Sequence, residues 1–168
     1  MKKLLFTIVL LLSFVSMYSK DYKMYISIND EKISDASYEN DSVRIDFIFM
    51  GCDYPYIGVR VTNKTKSRIY IEWENARLGT LNVMFMTDNV LTYSRPKQDE
   101  VVHAGSSVRR NIGIRTDGSY VMPVFRDRDV RSMGFDFTSA IIPIRYQSGK
   151  IDDIDVTIYI EYKKGAGT

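Results

Sequence analysis

The chain has 168 residues with one cysteine and one histidine, and without Lys2 and Lys3 its basic and acidic residues balance at 21 each. One cysteine excludes an internal disulfide and any two-cysteine metal clamp, and one histidine excludes paired-histidine metal motifs. A balanced chain has no long-range field to draw it to nucleic acid or anionic lipid.

The N-terminus is Met1-Lys2-Lys3, followed by an apolar run over 4–15 broken only by Thr7 and Ser13. Ser16-Met17-Tyr18-Ser19 and then Lys20-Asp21 complete a basic, apolar, small-polar layout. That is the layout of a secretory signal of bacterial appearance. The run is shorter than the roughly 20 apolar residues of a spanning helix. The expected organisation is a signal over 1–19, one domain over 20–164 and a tail over 165–168, with cleavage after Ser16 the alternative. The expected location is outside the cytoplasm: periplasm, outer surface or medium. About 150 mature residues suit a single domain with a real core. Intact-mass analysis of exported protein should show Met1 and Lys2 removed.

Period-two alternation then dominates, and side chains on a strand point alternately to opposite faces. Residues 22–28 alternate loosely. Val43, Ile45, Phe47 and Phe49 share a face opposite Arg44 and Asp46. Ile57, Val59 and Val61 alternate with Gly58, Arg60 and Thr62. Ile69, Ile71 and Trp73 alternate with Tyr70, Glu72 and Glu74, which places Trp73 inward. Asn63-Lys64-Thr65-Lys66 between these two strands reads as a tight hairpin loop. Leu81, Val83 and Phe85 form another face, and Val108, Ile112 and Ile114 a ragged one. The breaks at Asp53-Tyr54-Pro55-Tyr56 and Ala104-Gly105-Ser106-Ser107 are turns. Residues 141–146 lead through Gln147-Ser148-Gly149-Lys150 into a final strand carrying Ile154, Val156, Ile158 and Ile160. This is a terminal hairpin, and Pro143 assigns its first strand to an edge or a bulge. No amphipathic helix of ten residues is visible in the mature part. The pattern predicts an all-β antiparallel sandwich of about seven to nine strands. A closed barrel is the alternative, and an outer-membrane barrel is disfavoured by strands shorter than the 9–11 residues it needs.

Val59-Arg60-Val61-Thr62-Asn63-Lys64-Thr65 with Ile69-Tyr70-Ile71-Glu72-Trp73 resembles a recurring core of exported bacterial immunoglobulin-like sandwiches. There a strand ends on Asn, the chain turns, and the next strand carries an inward Trp. Val101-Val102-His103-Ala104-Gly105-Ser106-Ser107 is similar to the entry of another strand in such domains. The resemblance spans about 40 residues, implies an immunoglobulin-like fold, and implies no activity. Periplasmic pilus chaperones share a looser likeness, but their paired basic anchors have no counterpart in this chain.

Candidate chemistry is sparse. His103 beside a Gly-Ser turn is expected to be exposed rather than catalytic. Glu72 and Glu74 on one strand face have the separation of a glycoside-cleaving pair, although solvated charge is the ordinary reading. Asp152, Asp153 and Asp155 lack the spacing of a calcium loop. Cys52 reads as a small buried hydrophobe. Asn63-Lys64-Thr65 and Asn40-Asp41-Ser42 fit the glycosylation pattern, without modification expected. No cofactor or metal is expected. The segment 117–140 is too long and irregular for a simple turn, and long connections are often binding loops. It holds Tyr120, Phe125, Phe135 and Phe137 with Arg126, Arg128 and Arg131. Aromatic rings and arginines carry most energy at interfaces. Tyr54 and Tyr56 flanking Pro55 are a second contact candidate. The expected function is a non-catalytic module binding a protein or a cell-surface glycan, with loop contacts through Phe125 and Arg128. Assembly by edge-strand addition through the first or last strand is the alternative, and a carbohydrate-active enzyme the third reading.

Overall fold

A computed structural model describes residues 22–33, 35–86, 93–96, 98–114 and 122–163. The expected signal peptide, the tail and Tyr120 lie outside these residues. Two antiparallel sheets pack face to face as a β-sandwich. The strands are β1 (Tyr22–Ile28), β2 (Glu31–Ile33), β3 (Ser37–Glu39), β4 (Val43–Ile48), β5 (Tyr56–Asn63), β6 (Ile69–Ile71) and β7 (Arg77–Leu78). They continue as β8 (Leu81–Asn82), β9 (Met84–Met86), β10 (Tyr93–Ser94), β11 (Glu100–Val102), β12 (Ser107–Gly113), β13 (Phe135–Tyr146) and β14 (Ile151–Tyr162). One helix, α1 (Asp127–Met133), precedes β13.

The first sheet has eight strands, ordered β11-β6-β13-β14-β1-β2, with β7 against β13 and β8 against β7. The second has six, ordered β10-β9-β12-β5-β4-β3. The alternating apolar residues meet between them: Ile26, Val43, Ile45, Phe47, Ile57, Val59, Val61, Ile69, Ile71, Ile154, Val156, Ile158 and Ile160 are all buried. The count of seven to nine is exceeded because eight of the fourteen described strands have only two or three residues. The 81–85 face, for instance, divides: β8 belongs to the first sheet and β9 to the second, with buried Val83 at the crossing.

The turn after β5 is not a hairpin. β5 lies in the six-stranded sheet and β6 in the eight-stranded one, so Asn63 turns the chain from one sheet to the other. Its side chain is buried. Asn63 Nδ2 donates to the carbonyls of Ser67 (2.7 Å) and Val102 (3.0 Å). Its Oδ1 accepts from the Thr65 N–H (2.9 Å) and hydroxyl (2.8 Å). The β11–β12 connection crosses between sheets too, and the two corners are tied by Asn63 N–H to the Ser106 carbonyl (2.9 Å) and Gly105 N–H to the Asn63 carbonyl (3.1 Å). A buried side-chain amide committed to two backbone carbonyls cannot present itself as a glycan acceptor in the folded protein.

The terminal hairpin forms as expected, with Arg145 opposite Ile151, but it is longer: both strands have twelve residues. Pro143 sits in an interior strand, between β14 and β6, rather than at an edge. The missing N–H is tolerated because Pro143 faces the end of β6. Its carbonyl accepts from Glu72 N–H (3.1 Å), and the return bond is the one the chain forgoes as it leaves the sheet at Ile71. The first and last described strands, β1 and β14, are also interior. Each is bordered over only part of its length on one side: β2 pairs with Ile26–Ile28 of β1, and β1 with Thr157–Tyr162 of β14.

Trp73 is buried as expected, although β6 stops before it and Glu72 and Glu74 lie in the turn rather than on a strand face. The indole Nε1–H donates to Glu100 Oε2 (2.8 Å), and its ring meets Phe85 edge-on at 5.5 Å between centroids. Arg110 binds the same Glu100 through Nε (3.1 Å) and Nη2, and lies over Phe85. Indole, carboxylate and guanidinium thus join β11 of one sheet to β12 of the other.

Candidate functional site

The segment over 122–140 is structured by α1. Asp127 and Asp129 stand in the first turn and Arg131 in the last, matching the helix dipole. Gly134 closes the helix in the left-handed region (φ 85°) and returns its N–H to the Val130 carbonyl, a conformation that favours glycine. The signals were present in the sequence. Seven residues with one buried apolar side chain, Val130, give no periodicity to find them by.

The helix closes one end of the sandwich. Tyr22 Oη donates to Asp127 Oδ1, and Arg131 Nε binds the same carboxylate at 2.8 Å. Arg131 also donates to Tyr162 Oη (3.1 Å) and covers the Tyr162 ring at 4.8 Å. The Tyr22 hydroxyl and the Arg131 guanidinium hold the Asp127 carboxyl below the usual carboxylate range. Cys52 is half-buried nearby, and desolvation pushes its thiol up to about 11, so it is a protonated, weakly nucleophilic group at neutral pH.

The sequence-nominated residues therefore divide. Phe125 is only 1% exposed and packs into the core. Tyr56 is buried with Met84 and Met86 on the outside of the six-stranded sheet. Neither presents a contact surface, because each ring fills apolar space. Arg131 is tied to Asp127 and Tyr162. Arg126 and Arg128 are exposed and form no ion pair among the described residues. Tyr54 is exposed and lies beside this segment: Val124 N–H reaches the Tyr54 carbonyl (3.0 Å), and Asp53 N–H the Phe125 carbonyl (2.8 Å). The structure thus brings Tyr54 to the Arg126 loop although 72 positions of sequence separate them.

The same division predicts a stability pattern. Arg131→Ala should lower stability, because it removes the Asp127 ion pair and the cover on the Tyr162 ring. Arg126→Ala with Arg128→Ala should change it by under about 0.5 kcal/mol. Thermal melts of the two proteins read the difference.

A surface the sequence had only partly marked follows α1. Met133 (61% exposed), Phe135 (46%) and Phe137 (58%) fall within five residues. They account for half of the large apolar side chains exposed among the described residues. Phe135 and Phe137 point to the outer face of the eight-stranded sheet. There Phe137, Tyr159 and Tyr25 occupy facing positions on β13, β14 and β1. Their rings form a row, Phe137 to Tyr159 at 5.6 Å and Tyr159 to Tyr25 stacked at 5.0 Å and 3°. Lys32 sits 3.6 Å over the far Tyr25 ring and binds Glu161 at 3.0 Å. Stacked rings show their edges outward, so the row is not a flat platform for a sugar face. Its free end is Phe137.

The other candidates do not converge. Glu72 is held by Arg145 Nε at 2.9 Å and Glu74 is exposed in the turn with no ion pair among the described residues, so the two do not share the strand face expected of a carboxylate pair. Glu74→Ala should cost under about 1 kcal/mol. Asp152 pairs with Lys150, and its neighbours Asp153 and Asp155 fall on the opposite face of β14. No group of three His, Cys, Asp or Glu able to hold a metal occurs among the described residues. His103 is exposed in the β11–β12 turn.

No protein family and no curated protein matches the chain. One solved structure, the "X-ray structure of Northeast Structural Genomics Consortium target SoR45", is similar at 10% identity over 88% of this chain and 90% of that one. Its TM-score of 0.35 is too low to carry an argument about fold or function.

Proposed function

We propose that the chain is an exported, non-catalytic binding module on an immunoglobulin-like sandwich, and that its contact surface is the Met133–Phe135–Phe137 patch with Arg126 and Arg128 nearby in sequence. The exposed apolar run carries this reading: large apolar groups gathered on one surface mark interaction sites far more often than isolated ones do. The immunoglobulin-like reading is supported by the buried Asn63 corner and the inward Trp73. The ligand class favoured is a protein rather than a glycan, because the ring row is edge-on and the adjacent backbone is open to a strand.

The test uses tagged, exported protein to capture a partner from the native envelope, identified by mass spectrometry. Wild type, Phe135→Ser with Phe137→Ser, and Arg126→Ala with Arg128→Ala are then titrated against it. Each interface anchor can contribute 2 kcal/mol or more, so the phenylalanine pair should weaken binding by about thirtyfold or more with little change in melting. Equal affinities for all three proteins would remove this surface.

A further inference from the structure

Strand β13 is paired with β14 along nearly its whole length, but its other side is covered unevenly. β6 covers Ile144–Tyr146 and β7 covers Ala140–Ile141. The Gly79 N–H takes the Ser139 carbonyl at 2.8 Å. No strand covers that side of Phe135 to Thr138 among the described residues. In an antiparallel ladder a residue turns both its backbone groups to one side, and alternate residues turn them to opposite sides. Tyr146 bonds toward β14, while Pro143 and Ser139 bond away from it. By the same alternation Phe135 and Phe137 direct their N–H and C=O into the open edge. One of these four groups is already taken: Phe137 N–H donates to the carboxylate of its own neighbour, Asp136 Oδ1, at 2.8 Å.

We infer that this edge is a self-pairing surface for a second copy of the chain, kept closed by Asp136. The inference rests on the reading of this patch as a contact surface. Two copies can join antiparallel about a two-fold axis with Phe135 of each opposite Phe137 of the other. A register centred on Phe137 would need the Ser139 carbonyl, which Gly79 occupies. The allowed register is isologous, so each copy supplies both halves of the contact. It places the exposed phenyl rings of the two copies side by side and extends the row begun by Tyr25 and Tyr159. It also sets Asp136 directly opposite Asp136 of the second copy, with Cβ atoms about 4.5–5.5 Å apart, where like charges destabilise the pair. Asp136 therefore closes the edge twice, by capping the Phe137 N–H and by opposing its own charge. An exposed edge bearing aromatic residues needs such a guard against uncontrolled pairing.

The experiment is sedimentation of the full exported chain and its variants. Wild type and Asp136→Lys should each be monomeric. Asp136→Ala alone, and an equimolar mixture of wild type with Asp136→Lys, should be dimeric, because the first removes both the cap and the repulsion and the second turns the repulsion into attraction. Adding Phe137→Pro to Asp136→Ala removes the edge N–H and should restore the monomer. Circular dichroism checks that this double variant keeps its sheets, and Phe137→Ser in the same background serves if it does not. A monomeric Asp136→Ala protein, or a dimer indifferent to both changes at Phe137, overturns the inference. Self-association needs no partner. A monomeric Asp136→Ala protein whose partner binding still depends on Phe135 and Phe137 would therefore overturn this inference and leave the proposed function standing.

Discussion

Trp73→Ala should lose about 3–5 kcal/mol of stability, as large aromatic deletions in cores do, out of the 5–15 kcal/mol that a domain has in total. Two losses combine. The indole leaves a cavity at the point where Phe85 packs against it edge-on, and Glu100 loses a donor at 2.8 Å. Trp73→Phe separates them. It keeps much of the packing and removes only the N–H, so it should cost about 1–2 kcal/mol, within the range of one hydrogen bond to a charged group that retains another partner, here Arg110. Urea unfolding of the three proteins measures both differences. A loss at Trp73→Ala below about 1 kcal/mol would mean that the indole does not fill the core.

The long strands were legible because burial on one face writes itself as alternation. Val43 to Phe47, Ile57 to Val61 and Ile154 to Ile160 each present every second residue to the core. The corners were less legible, because a change of sheet leaves the alternation intact. Residues 81–85 read as one strand although the chain passes between sheets at Val83. Pro143 misled because a proline reports a missing donor but not which neighbour lacks an acceptor for it. The candidate site was half legible. Composition drew attention to 117–140, but it favoured Phe125 over Phe137 as a contact, and only the fold separates the ring in the core from the ring on the surface. The guard at Asp136 had no sequence signal, since an isolated aspartate in a strand is informative only once the open edge beside it is known.

Asn63 should prove as costly to remove as a core aromatic, although the sequence places it in a turn. Asn63→Ala deletes two donors and the acceptor of two bonds from Thr65, four hydrogen bonds in all at a buried corner. Four lost hydrogen bonds at about 1 kcal/mol each give roughly 3–5 kcal/mol. The sharper test is Asn63→Asp. In an exposed turn aspartate replaces asparagine with little loss, since both form the same side-chain turn. At this corner the new oxygen would face the carbonyls of Ser67 and Val102, which offer no proton, and an ionised carboxylate would be buried against them. Burying an unpaired charge costs more than losing neutral hydrogen bonds. Asn63→Asp should therefore be less stable than Asn63→Ala at neutral pH, the reverse of the order by size and shape. Its deficit should shrink as the pH falls and the carboxyl takes up a proton, which restores a donor toward one of the two carbonyls. Unfolding of both variants across that pH range reads the order directly. An aspartate variant as stable as wild type would place Asn63 in a solvated turn and remove it as the link between the two sheets.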